Sequence, residues 1–188
     1  MGKLENKVAL VTGASSGMGH AIAKLYAKEG ASVVVIARRK EKLDELIKEI
    51  ESGNGKAVAV AGDVTSKEDV EKVVKTTVDE FGKLDIVVNN AGLNDKMTPL
   101  TDMDEDLWDA VVDVNLNGPM RIFKRSLTEM LNNGGGSFVT IASVGGLNGA
   151  RSGPAYTASK HGVVGLAKNI AFMYAKKNIR SNIIAPVV

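Results

Sequence analysis

The sequence contains no cysteine, few aromatic residues and only two histidines among its 188 residues. Without cysteine the chain can form neither a disulfide framework nor a thiolate site, and we expect a cytoplasmic protein. The two histidines, His20 and His161, lie far apart and have no partners at metal-ligand spacing. We therefore expect no metal site and expect both histidines on helix surfaces.

Long hydrophobic runs and a dominant charge are also missing. No segment approaches the roughly 20 apolar residues that cross a membrane, and the apolar run near the N-terminus is too short for a secretory signal. The net charge of +2 is spread over mixed signs, so the sequence does not favour nucleic acid or an anionic membrane as a partner. The length and the 44% hydrophobic content suit a single domain over residues 1–188.

The most informative segment is KVALVTGASSGMG at residues 7–19. An apolar run precedes a glycine-rich turn and an amphipathic segment follows it, which predicts a strand, a tight turn and a helix. The glycines let the backbone approach a ligand, and a helix that starts near Ser16 directs free N–H groups to the same point. We expect a phosphate or pyrophosphate there. The spacing is not G-x-G-x-x-G, and glycine that serves packing alone is the alternative.

Strand and helix patterns alternate along the rest of the chain. Short runs rich in Val and Ile predict buried parallel strands at residues 32–37, 56–61, 84–90, 136–143 and 179–186. Helical patterns occupy residues 40–51, 66–81, 104–131 and 155–177. With the strand at 8–11, this predicts an α/β fold, a doubly wound parallel sheet (Rossmann fold) of six strands in the order 3-2-1-4-5-6.

Ligands of such sheets bind outside the carboxyl ends of the strands, near the point where the strand order reverses. Glycines, hydroxyls, amides and charges stand at those ends, at residues 13–19, 37–39, 63, 89–92, 143–146 and 186. We therefore expect the functional site at this edge of the sheet.

Several motifs carry a resemblance to a known family: TGASSGMG at 12–19, Asp63, NNAG at 89–92, Asn115, Ser143, and Tyr156 with Lys160. In this order they resemble the short-chain dehydrogenase/reductase family over the whole chain. The sequence looks like the branch of 3-oxoacyl-carrier-protein reductases and alcohol dehydrogenases. The resemblance implies an NAD(P)-dependent oxidoreductase that transfers a hydride between nicotinamide and a small carbonyl or secondary alcohol, of the 3-oxoacyl or simple ketone type.

The Tyr156 and Lys160 pair supports this assignment independently. The two residues are four apart on a predicted helix, so their side chains share one face. A free tyrosine titrates near pH ~10, and a neighbouring ammonium favours the phenolate, which makes the phenol a usable general acid and base at neutral pH. The alternative is a packing aromatic beside a solvated lysine.

The resemblance also implies a role for each catalytic residue. Tyr156 exchanges the proton with the substrate oxygen, and Ser143 donates a hydrogen bond to that oxygen. Lys160 acts on Tyr156 and holds the nicotinamide ribose, while Asn115 supports a water that connects Lys160 to solvent. Ser143 as a turn residue after its strand and Asn115 as a locally bonded helix residue are the alternatives.

The end of the second strand bears on the choice of cofactor. An acidic residue there receives the 2′-hydroxyl of NAD, whereas an arginine accommodates the 2′-phosphate of NADP. Here Ala37 precedes Arg38 and Arg39, so we predict NADP, with NAD as the alternative. A solvated helix start would also explain the arginines, and Ser16 stands where NADP enzymes of the family often carry a basic residue.

The cofactor contacts implied by the resemblance come from the glycine-rich turn, the ends of three strands and the catalytic pair. They are Gly13, Ser15, Ser16, Gly17, Met18, Gly19, Arg38, Arg39, Asp63, Val64, Asn90, Ala91, Gly92, Tyr156 and Lys160. Asp63 and Val64 should meet the adenine, and residues 90–92 the two riboses.

The sequence departs from the family at its end, where IIAPVV has Val187 in place of the usual Gly. Relatives continue into a substrate-covering helix and a seventh strand, so we expect a C-terminally shortened member. One interpretation is an active reductase or dehydrogenase; the other is a catalytically weak fold that binds nucleotide or a partner chain. Because the helices at 104–131 and 155–177 commonly form a dimer interface in relatives, we expect a homodimer or homotetramer.

Overall fold

The computed structural model describes residues 2–187, and its central feature is one six-stranded parallel sheet in the order β3-β2-β1-β4-β5-β6. The strands are β1 (Val8–Thr12), β2 (Ser32–Ala37), β3 (Lys56–Ala61), β4 (Ile86–Asn89), β5 (Gly136–Ile141) and β6 (Ile179–Ile184). The helices are α1 (Gly17–Lys28), α2 (Lys40–Ser52), α3 (Lys67–Phe81), α4 (Glu105–Val112), α5 (Gly118–Asn132) and α6 (Pro154–Tyr174). The predicted fold class and strand order are confirmed.

Two apolar layers bury the two faces of the sheet. One lies against α3, α5 and α6 and includes the edge-to-face pair Phe123 and Phe138, whose ring centroids are 4.8 Å apart. The other lies against α1 and α2 and includes Val33 and Leu46. All five residues of β1 are buried, because the central strand has helices on both sides. This explains why its sequence is apolar from Val8 to Val11 and does not alternate.

Helix caps follow the signals in the sequence. The Ser66 side chain accepts a hydrogen bond from the amide of Asp69 at the start of α3, and Gly82 ends that helix in the left-handed conformation with φ 77°. Asp104 caps α4 by accepting from the amide of Asp106. Both histidines lie on helices, and His161 is exposed, as expected.

The predicted helix at 104–131 is not one regular α-helix. A π-helical turn, Asp113–Asn117, separates α4 from α5. A π-helical turn holds one residue more than an α-helical turn, and the helix continues in the same direction after it. The amphipathic pattern therefore persists, and periodicity does not reveal the additional residue. The turn has a consequence for the site, because Asn115 lies within it.

Three strands are shorter than predicted. Residues 84–85 and 90, 142–143, and 185–186 lie outside β4, β5 and β6. After β4, the Asn90 side chain turns to the carbonyl oxygens of Thr12 and Gly13. Beyond β5 and β6, main-chain hydrogen bonds still run from the Ala142 amide to the Ile184 carbonyl at 2.8 Å and from the Val144 amide to the Pro186 carbonyl at 3.1 Å. The apolar pattern in the sequence cannot mark where each strand ends, because the residues that follow the strand are still partly buried.

None of the helices within residues 2–187 has the length and apolar character needed to cross a membrane.

Candidate active site

The glycine-rich turn between β1 and α1 lies at the carboxyl edge of the sheet. Gly13 and Gly17 have φ of 67° and 58°, a region that side chains rarely adopt. A Cβ on Gly13 would lie 2.8 Å from the Cα of Ala91, and one on Gly19 would lie 2.4 Å from Nδ2 of Asn90. The turn therefore packs directly on the NNAG segment.

The start of α1 is open to an anion. Ser16 is its N-cap residue, but the Ser16 side chain makes no capping hydrogen bond. The first N–H groups of a helix have no partner within the helix and carry the positive end of its dipole. A phosphate group at this point would satisfy them.

Thr12 joins the turn to the segment after the neighbouring strand β4, and it was not among the predicted site residues. Its buried Oγ1 accepts hydrogen bonds from the amides of Asn90 and Ala91, at 3.0 and 3.1 Å. In return, Nδ2 of Asn90 donates to the carbonyl oxygens of Thr12 and Gly13, at 2.9 and 3.2 Å. The available signals were its position at the end of β1 and as the first residue of TGASSGMG. Its partners, almost 80 residues away, could not be read from the sequence.

A cleft of about 360 Å³ opens between the glycine-rich turn and the ends of β2, β3 and β4. It is lined by predicted cofactor residues: Gly13, Ser15, Ser16, Arg38, Arg39, Asp63, Val64, Asn90, Ala91 and Gly92. It is also lined by Ile36, Ala37, Gly62, Leu93 and Val114, which the sequence did not single out as cofactor contacts. Gly17, Met18 and Gly19 lie at the start of α1 and are not on this wall.

These features fit a dinucleotide. The volume is within the ordinary range for a small-molecule site, about 300–1,000 Å³. A close-packed glycine turn and an uncapped helix start suit its phosphates, while the partly exposed Leu93 and Val114 on the wall offer apolar surface to a base or to nicotinamide. The cleft lies between β1 and its neighbours, where the strand order reverses.

Arginine side chains define one rim of the cleft. Arg39 donates from its guanidinium to Oγ of Ser15 at 2.9 Å and to Oγ of Ser16 at 2.8 Å, which joins the start of α2 to the glycine-rich turn. Arg38 is largely exposed, and its Nε is 3.9 Å from a carboxylate oxygen of Asp63. This rim therefore presents two guanidinium groups and two hydroxyls, with one carboxylate beside Arg38.

Tyr156 and Lys160 lie one helical turn apart near the start of α6, as their spacing predicts. The Nζ atom of Lys160 is 5.5 Å from the centroid of the Tyr156 ring, within range of a cation–π contact. It donates to the carbonyl oxygen of Ile141 at 2.9 Å, at the end of β5. A Cβ on Gly92 would lie 3.7 Å from this nitrogen, so the amine adjoins the wall of the cleft.

Burial sets the electrostatics of Lys160. Its side chain is only 4% exposed. The charged form loses hydration there, and burial lowers the pKa of Lys160 from 10.5 to about 8. The group still carries its proton at neutral pH, so a positive charge lies next to Tyr156.

Ser143 follows β5 and begins the short 3₁₀ helix Val144–Gly146. Its Oγ accepts a hydrogen bond from the amide of Gly145 at 3.0 Å. The turn-forming role considered for this residue is therefore present. It does not exclude catalysis, since a hydroxyl that accepts one hydrogen bond can still donate another.

The side chain of Asn115 forms hydrogen bonds with the segment that follows β4. It is therefore not a residue that bonds only within its own helix, which was the alternative. Its Oδ1 accepts from the amide of Leu93 at 2.7 Å, and its Nδ2 donates to the Leu93 carbonyl at 2.8 Å and to Oγ of Ser159 at 3.1 Å. Ser159 in turn donates to the carbonyl oxygen of Tyr156 at 2.8 Å. The π-helical turn thus connects the cleft wall at Leu93 with the first turns of α6.

Comparison with known proteins gives consistent results. A family model described as short chain dehydrogenase matches residues 7–188. The chain is 41% identical over 184 residues to 3beta-hydroxysteroid dehydrogenase 2 of Eggerthella lenta, an alignment that covers 97% of this chain and 71% of that protein. It is also 41% identical over 184 residues to the 3-oxoacyl-[acyl-carrier-protein] reductase of Thermotoga maritima, with 98% and 74% covered.

Solved structures share the fold at similar coverage. Carveol dehydrogenase from Mycobacterium avium, determined in complex with NAD, superposes with a TM-score of 0.95 at 31% identity. The superposition covers 99% of this chain and 72% of that one.

Proposed function

Because the chain belongs to the short-chain dehydrogenase family of oxidoreductases, we propose that it transfers a hydride between a nicotinamide nucleotide and a small carbonyl or secondary alcohol. The observation that carries the proposal is the buried ammonium of Lys160 beside the Tyr156 ring, adjoining a cleft that fits a dinucleotide. A solvated lysine beside a packing aromatic would not need to be buried.

The proposed chemistry assigns the proton to Tyr156. Its phenol donates a proton to the carbonyl oxygen in reduction and takes one from the alcohol in oxidation. Ser143 donates its hydroxyl hydrogen bond to the same oxygen and stabilises its developing negative charge. The ammonium of Lys160 stabilises the phenolate form of Tyr156. When bound, the nicotinamide supplies the hydride in reduction and accepts it in oxidation.

Asn115 has a supporting role in this proposal. Its three hydrogen bonds hold both the Leu93 peptide groups and Ser159 in place. We include it in the site as the residue that supports a water route from Lys160 to solvent.

The relatives support a proposal for the substrate class. The names of the two 41% identical relatives refer to a hydroxysteroid and to a 3-oxoacyl group. Each contains a secondary alcohol or the corresponding ketone. We therefore propose a ketone of the 3-oxoacyl or simple ketone type for this chain.

The principal experiment follows NADPH oxidation with ethyl acetoacetate and a panel of simple ketones and aldehydes. We expect turnover by the unmodified protein and a loss of at least about 100-fold in kcat for Tyr156→Phe, as is typical when a general acid is removed. Tyr174→Phe is the matched control, because Tyr174 is the last residue of the same helix and lies outside the site. It should retain activity.

Two outcomes would contradict this function. Equal turnover by Tyr156→Phe and the unmodified protein would remove Tyr156 from the mechanism. Nucleotide binding without turnover in any of the proteins would favour the alternative, a fold that binds nucleotide or a partner chain without catalysis.

NADP is the proposed cofactor, with NAD as the alternative. The guanidinium groups of Arg38 and Arg39 and the hydroxyls of Ser15 and Ser16 suit the 2′-phosphate that distinguishes the two. No acidic residue ends β2, where Ala37 stands. The alternative, NAD, is supported by the Asp63 carboxylate 3.9 Å from Nε of Arg38 and by a serine at position 16 in place of a basic residue.

Fluorescence titration with NADPH and NADH tests the preference. Arg39→Gln should weaken NADPH binding by roughly 10-fold or more, since a charge-assisted hydrogen bond contributes about 1.5–3 kcal/mol, and should leave NADH binding nearly unchanged. Lys40→Gln is the matched control, because the Lys40 amine pairs with Asp44 and does not reach the cleft. Tighter binding of NADH than NADPH by the unmodified protein would exclude the proposal.

We also propose a homodimer or homotetramer. Phe172 and Met173 near the end of α6 are 82% and 61% exposed, which is unusual for large apolar side chains. Light scattering should give a mass at least twice the 19.8 kDa of the chain. A clean monomer would refute this part of the proposal.

A further inference from the structure

Asp95 carries a carboxylate that is completely buried in the segment after β4. Its Oδ2 accepts a hydrogen bond from the amide of Tyr156 at 2.9 Å, and its Oδ1 accepts from the amide of Met97 at 3.2 Å. Burial of an ionised group is unfavourable unless hydrogen bonds replace its hydration. Asp95 meets this condition by binding two main-chain donors from different parts of the chain.

The first turn of α6 provides no side-chain cap of its own. Its N-cap residue is Gly153, and Pro154 at the first helical position has no N–H. A Cβ on Gly153 would lie 2.5 Å from both carboxylate oxygens of Asp95. Glycine therefore leaves the space into which Asp95 reaches from 61 residues away to bind the third helical amide.

The other side of Asp95 holds a strained turn. Lys96 and Met97 both have positive φ, 55° and 58°, which is unfavourable for residues with a side chain. The amide of Thr98 donates to the Asp95 carbonyl at 3.1 Å, which closes this turn. Hence one residue joins the strained turn to the start of the helix that carries Tyr156.

We propose that Asp95 is a positioning residue for the reaction, because its carboxylate orients the first turn of α6 and thereby the Tyr156 phenol. This inference rests on the catalytic role proposed for Tyr156. A carboxylate can accept from Tyr156 and Met97 at the same time, one amide on each oxygen. An asparagine has one acceptor oxygen and would turn an NH₂ group toward the other amide.

The test compares Asp95→Asn with Asp104→Asn in the full chain, using NADPH and the most active ketone of the panel. Asp104 caps α4 in the same chemical manner but is exposed and lies outside the cleft and the catalytic pair. We expect Asp95→Asn to lower kcat roughly 10-fold to 100-fold, as a small misplacement of a catalytic group does. The Kd for NADPH should change by less than about two-fold, since Asp95 is not on the cleft wall. Asp104→Asn should keep its kcat.

Hydrogen exchange provides a readout that does not depend on turnover. Amides of residues 155–160 should exchange faster in Asp95→Asn than in the unmodified protein, while Asp104→Asn should leave them unchanged. If the unmodified protein reduces no carbonyl, the proposed function has failed, and exchange alone then decides whether Asp95 holds the helix. Unchanged exchange at residues 155–160 would overturn the inference in either case.

A rescue variant distinguishes an effect of Asp95 on the first turn of α6 from an effect on the turn at residues 95–98. Asp95→Ala removes the carboxylate that a Gly153 side chain would meet, and Gly153 has φ −70° and ψ 173°, which suit a serine N-cap. Gly153→Ser in the Asp95→Ala background should restore slow exchange and recover most of the lost kcat. Restored exchange without recovery of kcat would show that Asp95 does not act through the helix, and would refute the proposal.

Discussion

Replacing Lys160 by methionine should make the protein more stable at neutral pH, and this gain over the unmodified chain should shrink as the pH rises. Lys160 is 4% exposed, and its burial lowers its pKa to about 8. The methionine variant keeps an unbranched side chain of similar length and removes the buried charge.

The sign follows from the two pKa values. Lysine in the unfolded chain titrates near 10.5 and in the folded chain near 8. Below pH 8 Lys160 is protonated in both the folded and the unfolded chain, and the full unfavourable free energy of burying its charge lowers the stability of the folded state. As pH rises from about 8 to 10.5 the folded state loses its proton first, so this term disappears and the lysine protein gains stability. The full interval corresponds to about 3 kcal/mol.

The assay is urea unfolding of both proteins near pH 7 and pH 9.5. Both should carry Tyr156→Phe, so that titration of the phenol does not contribute. From the same two pKa values, the stability difference between the methionine and lysine proteins should shrink by about 2 kcal/mol between these conditions. The hydrogen bond lost at the Ile141 carbonyl affects the comparison at both pH values alike and largely cancels. A difference that stays constant within about 0.5 kcal/mol would refute the reasoning.

Two further predictions concern the contact between the glycine-rich turn and the NNAG segment. Thr12→Val leaves the amides of Asn90 and Ala91 without their acceptor, and should lower the unfolding free energy by about 2–4 kcal/mol and weaken NADPH binding; an unchanged denaturant midpoint would contradict it. Gly19→Ala places a Cβ against Asn90 and should reduce nucleotide affinity at least about 10-fold. Gly165→Ala is its control, since a Cβ there meets open space and Gly165 lies on α6, outside the cleft. Equal nucleotide affinity of the two alanine variants would argue against the packing explanation.

The alternation of apolar runs and amphipathic segments was sufficient to predict the sheet and its strand order. The strands at 32–37 and 56–61 have the predicted bounds, because valine-rich runs between glycines and charges are local signals. The place of the cleft also followed, since parallel strands with helical crossovers bring their carboxyl ends to one edge. Most of its lining residues were therefore identified before the geometry was known.

Other features depended on contacts between residues distant in sequence. The π-helical turn at Asn115 is invisible to periodicity, and the side chain of Asn115 within it makes two hydrogen bonds to Leu93, 22 residues away. The role of Thr12 depends on amides that only the pairing of β1 with β4 brings near.

Asp95 is the strongest case of this kind. Its sequence neighbours are those of an ordinary polar loop, and nothing in them indicates a buried carboxylate beneath the first turn of α6. Short-range preferences and periodicity determined which segments form strands and helices. Burial was decided only by the packing of the helices, which excludes water from groups far apart in the chain. This burial lowers the pKa of Lys160, and the same packing brings Asp95 to its partner at Tyr156.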